Sequence, residues 1–148
     1  MRTEHTVRVE ASRERVWSLL MDIPRAARLV PGVLDVAEAG QDCYRGSLRV
    51  QVGPVRLALE GEVRLTARDD AAGTAAVRLD GTDSRLGGGV RADVRLEVTG
   101  ATPVEVRILT DITILGRIGE LGQPLMKRKA DQVMAEFAKD LQRTLEGP

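Results

Sequence analysis

Few side chains in this sequence could do chemistry, and none has the spacing that chemistry needs. His5 is the sole histidine. As a general base or a ligand it would need a partner to orient it. The sequence marks none, so an ordinary place on a first strand is expected. Cys43 is the sole cysteine. It stands beside a turn with no basic neighbour to activate its thiol, and a nucleophilic role is not expected. Asp80, Asp83, Asp93 and Glu97 fall in turns or at outward strand positions, which leaves no inward carboxylate pair for acid–base work. Gly87-Gly88-Gly89 lacks the Lys-Ser/Thr and the strand-to-helix context of a phosphate loop. One cysteine permits no disulfide within the chain and no cysteine-based metal centre. Neither a catalytic set nor a metal site is expected.

The elements that would position any such group are easier to read. Val55, Leu57, Leu59, Gly61, Val63 and Leu65 alternate with Arg56, Glu60, Glu62 and Arg64, the period of a strand with one wet and one buried face. The pattern returns at 90–98 and 104–114. Thr3 to Val9 reads as a first strand. Ser12 is a candidate N-cap for a short helix bearing Val16, Trp17, Leu19, Leu20 and Ile23. Pro24 ends that helix or opens a second. Further strands are expected at 33–37, 44–52 and around Ala75, Val77, Leu79 and Gly81. Gly116 to Pro124, with three glycines and a proline, reads as a hinge-like loop. Leu121, Leu125, Met126, Ala130, Val133, Met134, Phe137, Leu141 and Leu145 then recur at three- and four-residue steps, the stripe of one long helix.

A strand, two short helices, about six more antiparallel strands and one long helix make an α+β chain. A twisted sheet of that size curls, and its concave face is the surface on which the last helix can bury its stripe. This is a helix-grip fold over residues 1–148 as a single domain. The inward positions are small and apolar, with Thr110 the clearest polar exception. It is either a hydroxyl that anchors a ligand carbonyl or a threonine satisfied locally at a strand end. Only Trp17, Tyr44 and Phe137 are aromatic, so the space between sheet and helix is either underfilled, leaving a dry cavity, or packed with Leu and Val.

Composition narrows the function classes. The chain has 148 residues, zero formal net charge, 43% hydrophobic and 30% charged residues, which fits a folded domain and argues against disorder. A nucleic-acid partner is not expected, because there is neither a basic stripe nor an aromatic set for stacking. Lysine occurs only at 127, 129 and 139, and the arginine surplus reads as compositional bias. No run approaches the ~18–20 apolar residues needed to cross a bilayer, and the single cysteine suits a reducing, cytoplasmic compartment.

Arg-Val-Trp-Ser-Leu-Leu-Met-Asp at 15–22 with Pro31-Gly32 resembles the opening of the START-like (SRPBCC) superfamily. Val52-Gly53-Pro54-Val55, Gly61-Glu62-Val63 and Gly-Arg-Ile-Gly-Glu-Leu-Gly-Gln-Pro-Leu at 116–125 sharpen this to a resemblance to CoxG, a carbon monoxide dehydrogenase family, over nearly the whole chain. The resemblance implies a seven-stranded sheet with a hydrophobic cavity and an accessory role beside molybdenum-containing carbon monoxide dehydrogenases or related hydroxylases. It also implies quinone binding and a peripheral contact at the inner membrane face. It carries over no catalytic motif.

The expected function is a non-enzymatic binding protein with no covalent cofactor, holding an isoprenoid quinone or lipid. Its expected lining is Leu48, Val50, Leu57, Leu59, Val77, Leu79, Val94, Leu96, Ile108, Thr110, Met126, Val133, Met134 and Phe137. Gly116, Gly119 and Gly122 form the expected gate. The alternatives are a cyclase or aromatase on the same fold, which would need inward acid–base groups, and a docking adapter with a filled core.

Overall fold

The computed structural model describes residues 1–147. Seven antiparallel strands form one sheet: β1 (Arg2–Val9), β2 (Val33–Gly40), β3 (Cys43–Val52), β4 (Val55–Asp69), β5 (Thr74–Thr82), β6 (Gly89–Thr99) and β7 (Val104–Leu115). Their spatial order is β1-β7-β6-β5-β4-β3-β2. From β2 to β7 each strand pairs with the next in sequence, a meander made by short turns. β1 closes the far edge by pairing with β7. Two short helices, α1 (Arg13–Met21) and α2 (Ile23–Ala27), join β1 to β2, and α3 (Gln123–Glu146) follows β7.

Local chemistry sets the helix ends. The Ser12 hydroxyl accepts from the Arg15 backbone N–H at 3.2 Å, the N-cap expected from sequence. The Asp22 carboxylate caps α2 in the same way, accepting from Arg25 N–H at 3.4 Å, and Pro24 occupies the first turn of that helix. β4 runs on to Asp69, beyond the expected end at 66, with a register shift between Leu65 and Ala67.

Gly46, Gly61 and Gly81 stand opposite one another across β3, β4 and β5. A Cβ on Gly61 would lie 1.7 Å from the Asp80 carbonyl oxygen. Glycine is what lets the strands approach and the sheet bend there.

The convex face carries cross-strand ion pairs. Arg78 Nε donates to Asp93 at 2.8 Å and Arg91 Nε to Asp80 at 2.7 Å; both pairs are directly opposed in the β5–β6 ladder. Arg107 pairs with Glu4 and Glu97. Much of the arginine surplus is therefore paired with carboxylates on the outer face. The hydrogen bond from Arg78 holds the Asp93 carboxyl below its ordinary pKa.

The core is split in two. The larger cluster joins α1 and the C-terminal half of α3 to the sheet through Val16, Leu19, Leu20, Val98, Val104, Val106, Phe137, Leu141 and Leu145. The smaller one gathers Val52, Leu57, Leu59, Ile118 and Met126 at the other end of α3. α3 lies chiefly along β1. Gln142 Nε2 donates to the Arg8 carbonyl at 2.7 Å and helps hold it there.

Gly116–Leu121 is a 3-10 helix, which corrects the expectation of a hinge-like loop. Ile118 is fully buried and anchors it. Gly116 takes a positive φ and would clash with Gly88 if it carried a Cβ, so its glycine serves a close approach of two backbones.

Asp83 shows how the β5–β6 connection is fastened. Its carboxylate accepts three backbone N–H groups, from Ala58, Arg85 and Leu86, each at 2.9 Å. These bonds, that from Leu86 foremost, hold its pKa below the ordinary 3.8. A carboxylate depressed in the fold stabilises it above the unfolded pKa and loses that contribution as pH falls through the folded value. Asp83→Asn is therefore expected to lower the urea midpoint at neutral pH. The gap from the parent should narrow below about pH 4 and close once Asp83 protonates in the folded protein. Urea titrations at several pH values check this.

Candidate functional site

Between the two core clusters the concave face is not filled. A cavity of about 350 Å³ lies under α3, walled by the sheet and by α1–α2. The strand period of two is what builds the wall. Leu48 and Val50 come from β3, Leu57 and Leu59 from β4, Val77 and Leu79 from β5, Val94 and Leu96 from β6, and Ile108 and Thr110 from β7. α3 contributes Met126, Val133, Met134 and Phe137. Every residue expected from sequence to line a pocket is placed on this one wall.

The volume persists because its residues are short. Gly46, Gly61, Gly81 and Ala92 add almost no bulk to the wall, and Phe137 is its only aromatic side chain. Trp17 is engaged elsewhere: its indole N–H donates to Asp70 at 2.8 Å. A dry apolar space of this kind is stable as a container, since water gains no hydrogen bonds by entering it.

Several wall residues lie beyond those expected from sequence. Val90, Ala92, Ile112 and Ile114 extend alternations already visible on β6 and β7 and are legible there. Leu20, Ile23, Ala26, Ala27 and Val30 form the second side of the cavity. Nothing in their own spacing says that α1–α2 faces the sheet's interior, so no local signal would have found them.

The polar groups of the wall are few and mostly engaged. The Ser47 hydroxyl donates to Asp35 at 3.2 Å. Glu62 accepts from Arg45 at 3.4 Å and Arg64 at 3.3 Å, and Asp80 is held by Arg91. Lys129 and Val133 border both this cavity and a smaller hollow of about 130 Å³ lined by Pro31, Gly32, Arg49, Gln51 and Glu136.

Thr110 is different. It is 5% exposed, it belongs to the wall, and its Oγ1 is buried without a hydrogen-bond partner. The locally satisfied threonine is thus not what the fold contains.

The remaining candidates lie away from the cavity. His5 Nε2 faces Asp131 Oδ1 on α3 at 3.8 Å and is not part of the wall. Cys43 is buried and free, again outside it. Gly116, Gly119 and Gly122 do not border the cavity either; Gly122 serves as the N-cap of α3 with φ of 90°. Among the described residues no group of three His, Cys, Asp or Glu side chains is placed to hold a metal ion, and no helix is long and apolar enough to cross a membrane.

A curved seven-stranded sheet gripping a C-terminal helix is the START-like fold, and solved structures bear this out. A START superfamily protein from Mycobacterium smegmatis has a TM-score of 0.68 at 16% identity, over 98% of this chain and 97% of that one. A conserved protein from Geobacillus kaustophilus reaches a TM-score of 0.86 at 18% identity, over 98% and 95%. Zhui, an aromatase/cyclase from Streptomyces, has a TM-score of 0.60 at 22% identity, over 97% and 95%. No curated protein matches the chain. The model of the carbon monoxide dehydrogenase family CoxG matches residues 6–146, and the chain belongs to that family.

Proposed function

We propose that this protein is a non-enzymatic carrier that holds an apolar guest, an isoprenoid quinone or a related lipid, under α3. It would serve a molybdenum-containing enzyme of the carbon monoxide dehydrogenase type. The observation that carries the reading is the apolar cavity between two separate core clusters. A fold that needed only stability would close that gap, since each wall residue left half-exposed forgoes burial at about 25 cal/mol per Å². Family membership supports the choice of partner enzyme.

The size favours a ring over a long chain. About 350 Å³ lies at the low end of the ~300–1,000 Å³ usual for ligand pockets. A quinone head fits with a short length of tail, and the rest of an isoprenoid chain would leave between α3 and α2. The bound quinone would supply two-electron redox chemistry; the protein's own residues would exclude water from it and fix its orientation. Loading and delivery at the inner membrane face would follow from a peripheral contact.

Organic extraction of protein purified from the cell, followed by mass spectrometry, is expected to release one apolar compound in near-stoichiometric amount. Protein that neither retains nor takes up any lipid or quinone contradicts the carrier.

A second reading, an aromatase-like enzyme, draws on the likeness to Zhui. It requires a proton donor and acceptor facing the guest. The wall carboxylates Asp35, Glu62 and Asp80 are all engaged with Ser47 or arginines, which favours the carrier.

A further inference from the structure

Thr110 has a counterpart. Thr3 is also 5% exposed, and its Oγ1 is likewise buried without a partner. The two residues are directly opposed in the β1–β7 ladder, which puts their Cβ atoms about 4.5–5.5 Å apart on the same face. Elsewhere this chain satisfies its hydroxyls. Thr66 donates to the Ala76 carbonyl at 3.1 Å and Thr102 to that of Ala11 at 3.2 Å. Two orphans side by side are an exception that native folds seldom leave unexplained.

Their surroundings define what they would recognise. Val94 stands opposite Thr110 on β6, and Ile108 and Ile112 flank it on β7 along the cavity wall. A threonine hydroxyl both donates and accepts, so the pair suits a neutral carbonyl or hydroxyl oxygen. An anionic head would need a cation. The cation in the wall is Lys129, which belongs to the other rim, beside the hollow of Arg49 and Pro31.

We propose that Thr3 and Thr110 form a subsite that reads a neutral oxygen on an otherwise apolar guest. The oxygenated end rests against β1–β7 and the hydrocarbon runs toward α2. This rests on the carrier reading and adds the guest's polarity and orientation. The third buried, unpartnered atom, His5 Nε2, lies two residues along β1 toward Asp131 and is not part of the subsite.

Matched probes test it. Menadione and 2-methylnaphthalene share a methylated bicyclic skeleton and differ in two carbonyl oxygens. Binding of each to delipidated protein, measured by equilibrium dialysis, is expected to favour menadione by about fivefold, the worth of one or two net hydrogen bonds. Thr110→Val should abolish that preference, and Thr3→Val should reduce it, with 2-methylnaphthalene binding unchanged. Both variants should also raise the melting temperature of the empty protein, because an isosteric methyl removes an unmet hydroxyl. That trade of stability for recognition is not expected of a merely structural threonine. Equal binding of the two probes by the parent, or a Thr110→Val protein that keeps the preference, overturns the subsite and leaves the carrier intact. A Thr3→Val protein with the full preference overturns the paired site. Binding of neither probe overturns the carrier and the subsite together.

Discussion

Replacing Ala92 with phenylalanine is expected to abolish most guest binding while leaving the melting temperature unchanged or raised. Ala92 sits on β6 between Leu79 of β5 and Ile112 of β7 in the ladder, at the middle of the cavity wall. A benzyl group there would stand in the space a guest needs. A guest that forfeits the burial of one large apolar group loses about 1.5–3 kcal/mol, more than about tenfold in affinity. The effect on stability is what makes the substitution informative. In a close-packed core the same change costs about 1–3 kcal/mol by overpacking, whereas here it fills an existing hole. Titration with an apolar probe, together with a thermal melt, reads both quantities. A variant that melts well below its parent would mean the concave face is already full.

Leu141→Ala and Val133→Ala form the complementary pair. Leu141 is completely buried in the larger cluster, among residues of α1, β1 and β7. Its truncation is expected to cost about 2–5 kcal/mol, transfer plus cavity, a large share of the ~5–15 kcal/mol that holds a domain of this size together. Val133 lies two turns earlier on the same apolar stripe but over the cavity, with no tight packing to lose. Its truncation is expected to cost less than about 1 kcal/mol and to fall instead on guest affinity. Urea unfolding of the two variants separates the part of α3 that holds the fold from the part that covers the guest. Equal losses would mean that the helix packs uniformly.

The two residues show how far the sequence can be read. The 3.6-residue period puts Leu141 and Val133 on one face of α3 alike, and it cannot say which of them meets the sheet. That depends on where the curved sheet comes up to the helix, a tertiary property. The inward residues of β4 to β7 were legible because a strand period of two leaves no choice of face once one face is apolar. The contribution of Ala26, Ala27 and Val30 was not, because the docking of α2 is decided by the turn at Pro31-Gly32 and by its neighbours across space. The arginines failed for a related reason. Arg78 and Asp93 are far apart in sequence and meet only through the β5–β6 register, so an ordered ion-pair ladder looked like bias. Gly116–Gly122 misled by its glycine content. One apolar residue, Ile118, finds a buried seat beside Val52, Leu57 and Met126, and that single anchor turns an apparent hinge into a 3-10 turn. Thr110 stood out in sequence as the clearest polar residue among the inward positions of the strands. Thr3, equally buried, did not, since the faces of β1 are less distinct in sequence.

The most direct test is the electron density inside the cavity of crystals grown from protein purified without organic solvent. The account predicts continuous density that water does not explain, enclosed by Leu79, Ala92, Val94, Ile112 and Met134, with one end against Thr110. Met134 and Phe137 lying down on Leu79 and Val94, with the space closed and nothing within it, would contradict it.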